Sequence, residues 1–119
     1  MTGERVEKLL KQVNLRNEYR VYEANGAYLV KSENQRGQRY ECKVPSAAIS
    51  YLCEKMRGQR VTAEQAGAAL RPVAERFKLP YTYGDKLRYT GQYVLIATVA
   101  AGMATVTKEG RSYVYTISG

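Results

Sequence analysis

With 119 residues, the chain has room for one domain with a core large enough to fold unaided, and none for a second full domain. It carries 19 Lys and Arg against 11 Asp and Glu, a formal charge of +8 that favours an anionic partner, most simply nucleic acid, although the charge is spread rather than gathered in a tract. Histidine is absent and the two cysteines are not at metal-ligand spacing, so neither a metal nor a cofactor is expected. The longest apolar stretch, residues 93–103, is about half a membrane span, and no apolar run precedes a cleavage site near the N-terminus, which together predict a cytoplasmic protein that does not enter a membrane.

Val6, Leu9, Leu10 and Val13 recur at helical spacing, predicting an amphipathic helix over residues 3–14 with Thr2 as its cap. Asn25-Gly26 then separates two short runs rich in Tyr, Val and Leu, a strong hairpin signal that sets Tyr22 against Leu29, Val21 against Val30 and Ala24 against Ala27. A looser turn over residues 33–38 leads to a third strand, Arg39 to Val44, with Tyr40, Cys42 and Val44 expected to face inward. Pro45-Ser46 opens a helix whose stripe is Ile49, Leu52, Cys53 and Met56, and Gly58 is placed to end it. Cys42 and Cys53 thus fall on apolar periodic positions and read as two buried thiols, a disulfide being the alternative.

Thr62 and Gln65 form a capping-box pattern at the start of the next helix, which Pro72 should kink or restart. Residues 78–85 show no helical period and read as a surface connection carrying two tyrosines close to Lys86 and Arg88. From Thr90 the chain reads as a helix ending at Gly102 and running straight into a β-hairpin. Residues 93–99 are rich enough in β-branched side chains that a strand and a three-stranded meander to 117 stay open. A two-residue turn at Glu109-Gly110 sets Lys108 against Arg111, Val106 against Tyr113 and Ala104 against Tyr115, giving one apolar and aromatic face and one mostly of hydroxyls.

The helix from Ile49 to Met56, the turn at 58–61, and the capped, alanine-rich run from Thr62 to Leu70 resemble the first two helices of bacterial winged helix-turn-helix regulators. The helix ending at Gly102 and the hairpin with Lys108 and Arg111 at its tip look like that superfamily's third helix and wing. The resemblance spans about residues 45–117 and is one of element pattern. It implies a winged-helix-like part over residues 45–119 and a DNA-binding protein such as a transcription regulator; with the N-terminal helix and three-stranded antiparallel meander read over residues 1–44, the expectation is a single α+β domain. Residues 72–88 stand where the family has a short turn, and Thr98 is the only polar side chain between Val94 and Ala101, leaving no polar face for the major groove. The order helix, three strands, helix is also that of double-stranded RNA binding domains, but Pro45-Ser46-Ala47-Ala48 replaces their lysine cluster.

No carboxylate pair, phosphate-cradling glycine run or activated cysteine suggests catalysis, so an enzyme is not expected. The resulting expectation is a nucleic-acid partner, with Lys86, Arg88, Lys108 and Arg111 on phosphates and Thr90, Gln92 and Tyr93 nearest the bases. The alternative is a protein-interaction module or homo-oligomer that buries the apolar last helix in an interface rich in Tyr, which supplies 11 of the 12 aromatic residues.

Overall fold

The structure, a computed structural model, describes residues 8–119. It opens on a four-stranded antiparallel sheet of order β1-β2-β3-β4, formed by β1 (Lys8–Asn14), β2 (Glu18–Ala24), β3 (Ala27–Glu33) and β4 (Arg39–Pro45). The chain continues through α1 (Ser46–Lys55), β5 (Arg60–Val61), α2 (Ala63–Leu70), α3 (Leu87–Ala100), β6 (Ala104–Glu109) and β7 (Ser112–Ile117). The last three strands make a second sheet of order β5-β7-β6. The fold is therefore mixed α+β.

The β2–β3 hairpin has the register that its turn dictates, with Asn25 and Gly26 at φ 52° and 74° and Val21 opposite Val30. The N-terminal expectation is corrected. Residues 8–14 are a strand paired with β2 from Lys8↔Glu23 to Asn14↔Glu18, so the meander has four strands rather than three, while Thr2 and residues 3–7 lie outside the described residues. The ladder with β2 satisfies the backbone of β1, and a register shift between Leu9 and Lys11 accommodates the adjacent leucines, whose spacing had mimicked a helix. Tyr40 is also corrected, since it is 52% exposed at the start of edge strand β4, whereas Cys42 and Val44 are buried as the alternation requires. Both cysteines are free thiols, Cys42 buried and Cys53 half-buried.

The capping box at α2 is complete: Gln65 N–H donates to Thr62 Oγ1 at 3.2 Å and Thr62 N–H donates to Gln65 Oε1 at 2.9 Å. At Pro72 the α-helix gives way to a single 3-10 turn, Arg71–Val73, as the missing donor demands. The stretch 93–100 is helix, and α3 begins earlier than expected, at Leu87. A 3-10 turn, Gly84–Lys86, leads directly into it.

α3 is the centre of the molecule, with the four-stranded sheet on one side, α2 on another and β6 beside it. Its Val94, Leu95, Ile96 and Ala97 are fully buried, and Thr98 satisfies its hydroxyl by donating to the Val94 carbonyl at 2.7 Å. α2 meets α3 backbone against backbone. A Cβ on Gly91 would stand 2.1 Å from the Ala63 carbonyl oxygen, and one on Gly67 would stand 2.3 Å from that of Leu87. Only glycine fits at either place.

The β6–β7 hairpin turns one position later than expected. Glu109 pairs with Ser112, Lys108 with Tyr113, Val106 with Tyr115 and Ala104 with Ile117, so Gly110 and Arg111 are the turn residues, with glycine first at φ 64°. Each partner moves by two residues, an even step, so the faces are as expected even though the pairs are not.

Candidate nucleic-acid interface

The segment from Tyr81 to Tyr89 gathers aromatic rings and cations on the surface at the start of α3. The Tyr81 and Tyr89 rings lie 5.9 Å apart between centroids, tilted by 53°. Lys86 Nζ stands 5.6 Å from the Tyr81 centroid, and the Arg88 guanidinium 5.0 Å from that of Tyr89, each at cation–π distance. Arg88 also donates to the Tyr89 hydroxyl at 3.2 Å. That hydrogen bond first, then the nearby Tyr89, Asp85 and Glu64, raises the Arg88 pKa, so the guanidinium remains charged at any working pH. Tyr81 is 37% exposed, Tyr89 45% and Tyr83 75%. So much open ring surface beside two cations is unusual for side chains that normally bury their bodies.

Thr90 holds this patch in place. Its hydroxyl donates to the Tyr81 carbonyl at 2.9 Å and accepts from the Tyr81 N–H at 3.0 Å, tying an irregular segment to the first turn of α3. The side chain is fully buried, which corrects its expected position near a base. Leu87, buried against α2, fixes the same turn from the other side.

Gln92 and Tyr93 also turn inward. The Tyr115 hydroxyl donates to Gln92 Oε1 at 2.9 Å, and Gln92 Nε2 donates to the Tyr19 hydroxyl at 3.4 Å, so one amide of α3 links β7 to β2 and hence the two sheets. Burial pushes the Tyr115 phenol well above its ordinary range, so it remains a proton donor. Tyr93 is half-buried; burial raises its pKa, opposed by a hydrogen bond to Ser32. The three residues expected nearest the bases are thus held in internal contacts, Thr90 by the Tyr81 segment, Gln92 between β2 and β7, and Tyr93 against Ser32 of the four-stranded sheet. The apolar run 94–99, which had suggested an interface between copies, is buried within one chain.

Lys108 and Arg111 are exposed at the tip of the second hairpin. Arg16, in the turn between β1 and β2, donates to the Arg111 carbonyl at 3.3 Å, and Arg60 pairs with Glu109 beside it. β6 follows the end of α3, where Met103 N–H donates to the Thr98 carbonyl, and its partner β7 reaches Gln92 through Tyr115. Among the described residues, no hydrogen bond, ion pair or ring contact joins this hairpin tip to the patch at Lys86 and Arg88. Tyr89 joins the predicted residues at this patch, and an exposed Tyr in the first turn of a mostly buried helix has no signature in periodicity alone. Its one signal was adjacency to Arg88.

No family model matches the chain, and neither a curated protein nor a solved structure matches it.

Proposed function

We propose that this chain is a nucleic-acid-binding protein on a winged-helix frame, gripping the sugar-phosphate backbone rather than laying a recognition helix in the major groove. The observation that carries the proposal is the paired, exposed Tyr81 and Tyr89 with Lys86 and Arg88 above their rings. Cations at this spacing suit phosphates, and tyrosine faces beside them suit unpaired bases, because stacking accepts any base while the charges follow the backbone. The winged-helix part of the proposal is supported by the order α1, β5, α2, α3, β6, β7 and by the two-stranded hairpin that follows α3. Lys108 and Arg111 extend the grip at the hairpin tip. With α3 covered, base-edge readout is minor, and sequence preference is expected to be weak.

The test is fluorescence anisotropy with a labelled 20-nucleotide single strand and the corresponding duplex. Tyr81→Ala/Tyr89→Ala should weaken single-strand binding by about 1–3 kcal/mol per stacked base and duplex binding by much less. Lys108→Ala/Arg111→Ala should weaken both. Unchanged affinity for both nucleic acids in the tyrosine variant would rule out the patch as the contact surface.

A further inference from the structure

The two sheets each end in an open edge on the same flank. Among the described residues, β1 is bonded only to β2 and β6 only to β7, and no ladder joins β1 to β6. Between them lies a groove of about 590 Å³, with Val13 and Leu15 on one wall, Ala104 and Val106 on the other and Val99 of α3 contributing to the lining between them. The walls run side by side in the same direction, since Arg16 just past β1 reaches Arg111 just past β6, and Tyr19, opposite Val13, shares Gln92 with Tyr115, opposite Val106. Lys11 therefore lies toward the Ala104 end and Lys108 toward the hairpin tip. They are separated by four residue steps, roughly 14 Å at about 3.4 Å per residue. Among the described residues, no acidic side chain lines the groove.

The geometry points to a second site, which shares only Lys108 with the proposed nucleic-acid grip and does not rest on that reading: the groove between β1 and β6 accepts an acidic peptide as an added strand that joins the two sheets. A strand seated there would find unpaired backbone donors and acceptors on both sides, the arrangement that peptide recognition by strand addition exploits. The walls specify its side chains. Facing α3, the central residue meets Val13 and Val106, and the residues two before and two after it meet Lys11 and Lys108. Carboxylates at positions one and five, with a β-branched residue at position three, fit this row, and side chains at positions two and four face solvent. The two charges also favour an acidic partner over a second copy of this chain, whose edge strands β1, β4 and β6 would bring lysines or arginine of their own against them.

The probe is the acetylated, amidated pentapeptide Glu-Thr-Val-Thr-Glu, which reads the same in both directions, titrated into the full chain labelled with nitrogen-15. The expected result is saturable shifts of backbone amides in β1 and β6, a loss of affinity of at least tenfold in Lys11→Glu/Lys108→Glu, and no binding of the Lys-Thr-Val-Thr-Lys peptide. A peptide N-methylated at its central residues should fail likewise. The lysines lie on the surface, so the charge-reversed chain should fold, and its unbound spectrum checks that. No shifts at millimolar peptide, or shifts confined to residues outside the groove, would overturn the proposal. So would concentration-dependent shifts at β1 and β6 without peptide, which would mean that a second copy fills the groove. An oligonucleotide that perturbs the groove more strongly than the peptide would reassign it to nucleic acid. Tyr81→Ala/Tyr89→Ala should bind the peptide normally, which separates this site from the patch.

Discussion

Replacing Gly91 by alanine should destabilise the protein although alanine is the better helix former. The new Cβ would stand 2.1 Å from the Ala63 carbonyl oxygen and 2.5 Å from the Gly67 nitrogen, both backbone atoms that no rotamer change can remove. Ordinary contact begins near 3.4 Å, so α2 and α3 would have to separate by about 1.3 Å at the crossing. A radial gap of about 0.5–1 Å already forfeits a quarter to a half of each dispersion contact it opens, and α3 is packed on several sides. Overpacking typically costs about 1–3 kcal/mol, occasionally more, and the helix-propensity gain of about 1 kcal/mol offsets part of it. With packing lost along the buried helix as well, the net is a loss of roughly 2–4 kcal/mol. At about 4 °C per kcal/mol for a domain of this size, the melting temperature should fall by roughly 8–16 °C. Circular dichroism during heating, with urea unfolding at 25 °C, reads the effect. A melting point equal to or above that of the parent would show that the helices do not cross as closely as described.

Tyr115→Phe deletes the donor to the half-buried Gln92 and leaves its amide oxygen without that partner, so urea unfolding should show a loss of about 1 kcal/mol. Thr62→Ala removes one half of the capping box and should cost about 1 kcal/mol by the same measurement. An aromatic disulfide reagent at pH 8 should modify half-buried Cys53, whose thiol burial also pushes up, before Cys42, which should react only on unfolding because burial pushes its thiol up to about 12. The same burial gives a pH dependence. Since the folded pKa of Cys42 lies above its unfolded value near 8.5, its contribution is fully present below about pH 8.5. It is lost as pH rises towards 12, at up to about 1.4 kcal/mol per pH unit. Urea midpoints measured from pH 8 to 11 should therefore fall, and Cys42→Ala should flatten that slope.

Local signals carried much of the fold, and the errors share a cause. Asn25-Gly26 set its hairpin because the turn conformation is a property of those two residues. Thr62 and Gln65 formed their box, and Pro72 stopped its helix, for equally local reasons. Leu9, Leu10 and Val13 misled because a helical stripe and a strand with a register shift can place the same three residues, and only pairing with β2 decides between them. Thr90, Gln92 and Tyr93 were chosen as the polar positions of a helix expected to be open. Their polarity instead serves contacts with Tyr81, Tyr19, Tyr115 and Ser32, which come from segments nine to more than seventy residues away in the chain. The cations at Lys86, Arg88, Lys108 and Arg111 were legible as charges. The ring pair beside the first two depends on how Thr90 ties down Tyr81, which no spacing rule reveals.

The most direct test of the central claim is the salt dependence of nucleic-acid binding, read as the slope of log affinity against log salt on a random-sequence duplex. If Lys86, Arg88, Lys108 and Arg111 each neutralise a phosphate, the slope should be about −3.6, and Lys86→Ala/Arg88→Ala should reduce its magnitude by about 1.8, at about 0.9 per phosphate contact. No binding at low salt, or a slope that removal of those two cations leaves unchanged, would contradict the account.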